Sequence, residues 1–172
     1  MRALAFLALL ALAAPAEAQR PCLTSAEAAS LALVAMPEIM RNTGELCAAK
    51  LPASSLLRQP QGPLLTRYDR AADRAWPQAP AAIVKLSDPA VETLLQSRYA
   101  RPLLTTLLVP QLVGRIDTGD CGVIDRLVTN LAPLPPENAA NVVVTALQYL
   151  KQEKARGKPV DVPDLPLCSE PK

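Results

Sequence analysis

The densest set of side chains that could bind a ligand lies in one short segment: Arg67, Tyr68, Arg70, Arg74 and Trp76. If this segment is helical, the three arginines share one face, and the two aromatic rings lie on another. Guanidinium groups bind anions, and Trp, Tyr and Arg are enriched at binding hot spots. We interpret the five residues as a candidate binding patch for an anion, a glycan or a protein. We favour the alternative, an ordinary amphipathic helix in which Trp76 fills the core and the arginines face solvent.

Four cysteines, Cys22, Cys47, Cys121 and Cys168, predict two disulfides, because they are widely spaced and form no C-x-x-C pair. Four cysteines allow three pairings. We favour Cys22–Cys47 with Cys121–Cys168, because each of these pairs encloses one local unit. The second choice joins Cys22 to Cys168 and would staple the two ends together. A catalytic thiolate is not expected, because the chain contains no histidine to serve as its base.

Other motifs do not predict a catalytic or metal site. Asp117-Thr118-Gly119 matches the triplet of aspartic proteases, but those enzymes need two copies on β-strand loops, and this chain has one copy between helices. If the segment that begins at Asp117 is aligned with a calcium-binding loop, only Asp117 and Gly122 occupy positions that such a loop requires. We therefore predict no catalytic residue, no metal and no cofactor.

Composition excludes several classes of function. The chain has 172 residues, with 18 basic and 16 acidic side chains, one Trp, three Tyr and one Phe. A nucleic-acid surface would need a basic stripe with stacking rings, so no nucleic-acid partner is expected. Without histidine there is no Ser–His pair.

The first residues have the order of a secretory signal peptide. Arg2 precedes an apolar run over 3–14, and Ala16-Glu17-Ala18 fits a cleavage site. We therefore expect residues 1–18 to be removed and the protein to be secreted, and periplasmic if it is bacterial. No later run approaches the length of about 20 residues that a transmembrane helix needs, so no transmembrane segment is expected in the mature chain.

In the rest of the chain, the spacing of apolar residues predicts helices, and the frequent prolines indicate where these helices begin, bend or end. Thr24 and Glu27 form a capping box, and Asp88-Pro89 is a helix start signal. Pro37 would either kink a helix or start a new one, and Pro102 and Pro110 should split or bend the leucine-rich stretch 94–116. Helices are expected over 25–35, 37–51, 64–76, 81–86, 88–116, 123–131 and 136–157.

These observations predict an all-α bundle of six or seven short, proline-punctuated helices stapled by two disulfides. Residues 19–157 would form one domain, and 158–172 an extended, proline-rich tail docked through Cys168. The expected function is a non-enzymatic binding or scaffolding role, with a protein or a small apolar ligand as partner. The alternatives are a carboxylate-based hydrolase and a carrier of an apolar ligand in a bundle cavity. Oligomeric state is left open.

Overall fold

The computed structural model of the protein describes residues 21–87 and 90–168. These residues contain seven α-helices and no β-strand, only an isolated bridge between Leu23 and Leu167, so the predicted all-α fold is confirmed. The predicted signal peptide and the Asp88-Pro89 start signal lie outside the described residues. The helices are α1 (Ser25–Leu46), α2 (Pro63–Ala75), α3 (Ala79–Leu86), α4 (Val91–Leu95), α5 (Ala100–Val113), α6 (Cys121–Leu131) and α7 (Pro136–Ala155). Short 3-10 turns cover Leu56–Arg58, Trp76–Gln78 and Thr118–Asp120.

Helix α1 is the central element, and it packs against α2, α3, α5 and α7. It starts at the predicted capping box: the Thr24 hydroxyl accepts from the Glu27 amide at 3.2 Å, and the Glu27 carboxylate accepts from the Thr24 amide at 2.8 Å. The predicted break at Pro37 is wrong, because the helix runs on to Leu46. Proline removes one backbone bond, to the carbonyl of Leu33. Pro37 is itself buried, so packing of its ring accompanies that loss.

The favoured disulfide pairing is also wrong. The structure joins Cys22 to Cys168 and Cys47 to Cys121, with Cα–Cα distances of 5.0 and 5.6 Å. The reason is the unbroken α1, whose 22 residues span about 33 Å. Cys22 precedes this helix and Cys47 follows it, whereas a disulfide needs Cα atoms about 4.4–6.8 Å apart. The second choice for Cys22, pairing with Cys168, is the one observed.

The tail after α7 lies against the start of the chain. The Cys168 amide donates to the Leu23 carbonyl at 2.8 Å, and the Leu23 amide donates to the Pro166 carbonyl at 2.7 Å. Leu23 is buried between these bonds, and Val162 is buried earlier in the tail. The disulfide and two backbone bonds therefore hold the first and last described residues together.

The end of α7 is set by a glycine. Gly157 has a φ of 83°, and its amide donates to the Lys154 carbonyl at 2.9 Å. The Lys158 amide donates to the Glu153 carbonyl at 3.1 Å. This pair of bonds is a Schellman motif, which needs a left-handed residue at the position of Gly157. The Glu153 side chain, 4% exposed, adds ion pairs to Arg156 at 2.6 Å and to Lys158.

The core is built from small side chains at the helix contacts. Alanines on α2, α3 and α7 are fully buried, which lets the helix backbones approach closely. A close approach of backbones also occurs at Gly44 of α1, where a Cβ atom would lie 2.0 Å from the carbonyl oxygen of Leu57 in the first 3-10 turn. The buried alanines with no measurable exposure are Ala72, Ala79, Ala82, Ala139 and Ala140.

The leucine-rich stretch is divided differently from the expectation. Residues 96–99 separate α4 from α5, Pro102 lies in the first turn of α5, and Pro110 lies inside that helix. Neither proline splits the stretch. Across residues 21–87 and 90–168, we find no helix whose length and hydrophobicity would let it cross a membrane.

Candidate functional site

A cleft of about 720 Å³ opens between α1 and α5. This volume falls within the range of small-molecule sites, about 300–1,000 Å³. One wall is a face of α1, the other is a face of α5, and the turn after α2 contributes the indole of Trp76. The lining residues are Val34, Pro37, Glu38, Asn42, Trp76, Arg98, Arg101, Pro102, Thr105, Thr106 and Pro110.

Three prolines are among the residues that line the cleft, and of these Pro37 is buried while Pro102 and Pro110 are exposed. Pro37 comes from α1, and Pro102 and Pro110 come from α5. Pro37 and Pro110 lie inside their helices. Because proline has no amide hydrogen, neither can make the usual backbone bond to the carbonyl four residues earlier. The sequence thus places two helix-interior prolines on opposite walls of the cleft.

The carboxylate that lines the cleft is paired with arginine. Glu38 accepts from Arg41 at 2.7 Å, and the same arginine donates to both oxygens of Asp69, at 2.9 and 2.7 Å. Burial lowers the pKa of Arg41, but the hydrogen bond and charge of Asp69, with those of Glu38, outweigh burial and raise it. On the opposite wall, Arg101 forms an ion pair with Asp73 of α2.

Arg98 is the cleft cation without such a pairing: no described carboxylate lies within ion-pair distance of it. Its guanidinium carbon lies 4.9 Å from the centre of the Tyr99 ring, and one of its nitrogens donates to the Tyr99 hydroxyl at 2.8 Å. Guanidinium carries five N–H donors in a planar fork. Tyr99 therefore positions the group and leaves donors available at the edge of the cleft.

The predicted binding patch is distributed over different surroundings. Tyr68 is buried in the core, and burial raises its pKa. Arg67, Arg70 and Arg74 are exposed, as the amphipathic interpretation expected. Arg67 donates to the backbone carbonyl of Ala132, and Arg74 pairs with Glu137 of α7 at 2.9 Å.

Trp76 is the patch residue that lines the cleft. We expected it to fill the core, and the structure corrects this in part: it is half-buried and packs against the cluster that includes Leu33, Val34 and Ala75. Tyr68 is the more deeply buried ring. Trp76 follows the last residue of α2 and starts the 3-10 turn over Trp76–Gln78, in which Pro77 is the second residue, so the indole lies at the end of α2 rather than on its inner face.

The motifs considered for catalysis have local structural roles. Asp117 caps a 3-10 turn by accepting from the Gly119 amide at 2.7 Å. Glu153 is the buried carboxylate, but the hydrogen bond from Lys158 lowers its pKa more than burial raises it. A general acid would need the opposite shift. In the part of the chain that the structure describes, no group of three His, Cys, Asp or Glu side chains could hold a metal ion.

A second surface feature is an exposed apolar strip on α4 and α5, outside the cleft lining. Leu94 is 67% exposed and Leu107 63% exposed. Apolar patches on a monomer are often functional. The other members of the strip are Tyr99 and Leu103, which precede Leu107 at four-residue spacing.

No known protein family, curated protein or solved structure matches this chain. Sequence reasoning identified Trp76 but missed Arg98 and the cleft face of α1. Arg98 is about 60 residues from α1 in sequence, and no spacing rule connects them. The adjacent pair Arg98-Tyr99 was the signal that could have suggested a positioned cation.

Proposed function

We propose that this chain is a non-enzymatic binding protein that holds a small ligand with an apolar body in the cleft between α1 and α5. The observation that carries the proposal is the cleft itself, which combines the indole of Trp76 and the exposed rings of Pro102 and Pro110 with six polar or charged side chains. Ligand sites in proteins are concave, mainly apolar and furnished with a small number of placed polar groups. The protein partner considered from the sequence is the less favoured alternative.

The ionic contacts support binding rather than hydrolysis. A hydrolase of the carboxylate type needs an acid with a raised pKa beside a substrate groove. Glu38, which lines the cleft, is held by Arg41. Glu153, the most buried carboxylate described, lies at the end of α7 with a lowered pKa.

Secretion is the cellular setting that we propose, with the periplasm as the compartment if the source is bacterial. Two features support it. The first is the apolar run near the start of the sequence, which is followed by small residues. The second is that all four cysteines are paired in disulfides, which persist in oxidising compartments.

The test of cleft binding uses the fluorescent amphiphile 8-anilinonaphthalene-1-sulfonate. Thr106 lines the cleft and is exposed, so Thr106→Phe fills the site without disturbing the core. Thr129→Phe is the matched control, because Thr129 is an exposed threonine on α6 that does not line the cleft. We expect the dye to bind the wild-type protein and Thr129→Phe alike, and to bind Thr106→Phe at least fivefold more weakly.

A third variant separates the cleft from the exposed apolar strip. Leu107→Ser removes an apolar side chain from the strip but leaves the cleft lining intact. If Leu107→Ser abolishes dye binding while Thr106→Phe leaves it unchanged, the ligand lies on the outer face of α5 and the proposal is wrong. Absence of any dye binding to the wild-type protein would also contradict it.

A further inference from the structure

We infer that the ligand of the cleft carries a carboxylate, and that Arg98 binds it. The inference rests on the proposed function and names the chemical class of ligand: an amphiphilic monocarboxylate with an unbranched or aryl apolar body. Three features of the site support it: the pairing of its charges, the position of Arg98 beside Tyr99 and the length of the apolar wall.

Charge pairing leaves one cation for a ligand. Of the charged residues that line the cleft, Glu38 is paired with Arg41, and Arg101 is paired with Asp73. Arg98 has no carboxylate partner among residues 21–87 and 90–168. An anion entering the cleft therefore meets one arginine whose charge it can neutralise, and it need not displace an existing partner.

The position of Arg98 suits a planar anion. The Tyr99 ring supports the guanidinium from one side at 4.9 Å, and the Tyr99 hydroxyl occupies one donor at 2.8 Å. The guanidinium fork matches the two oxygens of a carboxylate, and an arginine that is already held loses less freedom on binding. A neutral alcohol cannot use this geometry, because it offers one oxygen and no charge.

The length of the cleft beyond Arg98 limits the size of the ligand's apolar body. From Arg101 to Pro110 the α5 wall is about 13 Å long, since a helix rises 1.5 Å per residue. The exposed Pro102 and Pro110 lie along this wall, and the half-buried Trp76 lies across from it. A carboxylate bound at Arg98 would thus place a chain of about eight carbons against proline and indole surfaces.

The test compares octanoate with 1-octanol, which share a chain length and differ in charge. Trp76 is the sole tryptophan of the sequence and lines the cleft, so its emission reports binding at this site. We expect octanoate to bind about tenfold more tightly than 1-octanol, as charge-assisted hydrogen bonds predict. Raising salt from about 0.02 to 0.5 M should weaken octanoate binding and leave 1-octanol unchanged.

Two substitutions assign the effect to one side chain. Arg98→Gln should reduce octanoate affinity to that of 1-octanol, and Arg98→Lys should retain part of the difference, because lysine keeps the charge but not the fork. Arg115→Gln is the matched control: Arg115 is an exposed arginine after α5 that does not line the cleft, and its replacement should change nothing. All variants are exposed-site changes, and unchanged thermal unfolding confirms their folding.

Three results would overturn the inference. Equal affinities for octanoate and 1-octanol would show that the cleft binds apolar chains without reading charge, which leaves the proposed function standing. Equal losses in Arg98→Gln and Arg115→Gln would assign the effect to overall charge rather than to Arg98. Failure of octanoate to bind also contradicts the inference, and the dye experiment then decides whether cleft binding survives.

Discussion

Replacing Gly44 with alanine should destabilise the protein, although the same change stabilises most helices. Gly44 lies inside α1, where alanine is favoured over glycine by about 1 kcal/mol. The added Cβ atom, however, would lie 2.0 Å from the Leu57 carbonyl oxygen and 2.9 Å from its carbonyl carbon. Both obstructing atoms are backbone, so no side-chain rotation can relieve the contact.

The magnitude follows from the movement required. Restoring an ordinary contact of at least 3.4 Å needs a shift of about 1.4 Å between α1 and the Leu56–Arg58 turn, and a gap larger than about 1 Å forfeits about half or more of a packing contact. Leu57 is 3% exposed, and the turn is also tied to α6 by a 2.5 Å hydrogen bond from Ser55 to Asp125. Overpacking costs about 1–3 kcal/mol. Taking the upper end of this range and deducting the gain of about 1 kcal/mol from alanine in a helix, we expect the free energy of unfolding to fall by about 2 kcal/mol.

The assay is reversible thermal and urea unfolding of the oxidised protein, followed by far-ultraviolet circular dichroism. For a domain of this size, a loss of 2 kcal/mol lowers Tm by about 4–8 °C. Gly122→Ala is the control, because the nearest atom to its Cβ position is the end of the Arg126 side chain at 3.9 Å. If Gly44→Ala matches the control or raises Tm, the close approach of α1 and the turn is not present in solution.

Three further changes test other parts of the structure. Gly157→Ala should cost about 1–2 kcal/mol in unfolding free energy, because φ is 83° there while its Cβ position is unobstructed, so a neutral result would exclude the Schellman turn. Glu153→Gln should lower Tm at pH 7. Since the folded-state pKa of Glu153 is below its ordinary value of 4.5, this carboxylate stabilises the fold above that value, and the difference should be lost as pH falls through the lowered folded-state pKa; a constant difference would argue against the ion pairs. Trp76→Ala should cost about 2 kcal/mol, roughly half the cost for a fully buried Trp, against less than about 0.5 for the exposed Arg70→Ala; no change in Tm would place Trp76 outside the core contacts.

Local signals in the sequence were sufficient for the helices but not for their connections. The Thr24–Glu27 capping box placed the start of α1 correctly, and Pro136 did the same for α7. At Pro37 the local rule failed, because the surrounding helices bury the proline ring and hold α1 together. Because α1 continues past Pro37, Cys47 lies at the opposite end of this helix from Cys22, and both disulfides differ from the favoured pairing.

The site was harder to predict than the fold because it depends on contacts between distant segments. Trp76 drew attention by its size, but the sequence does not show that its neighbours would be α1 and α5. Arg67 and Arg74 looked like anion-binding groups, and the structure uses them for helix contacts with Ala132 and Glu137. Arg98 had no periodic pattern around it, and its availability follows from where the acidic side chains of other helices lie.

The Cys22–Cys168 bond has a mechanical consequence. Residues 22 to 168 form a closed covalent loop whose two ends are 5.0 Å apart at their Cα atoms. A pulling force applied through the segments before Cys22 and after Cys168 would pass across the sulfur–sulfur bond, and the helices between would carry almost none of that load. The fold can therefore remain intact while its two ends are under tension, and it becomes extensible along the chain only once that bond is reduced.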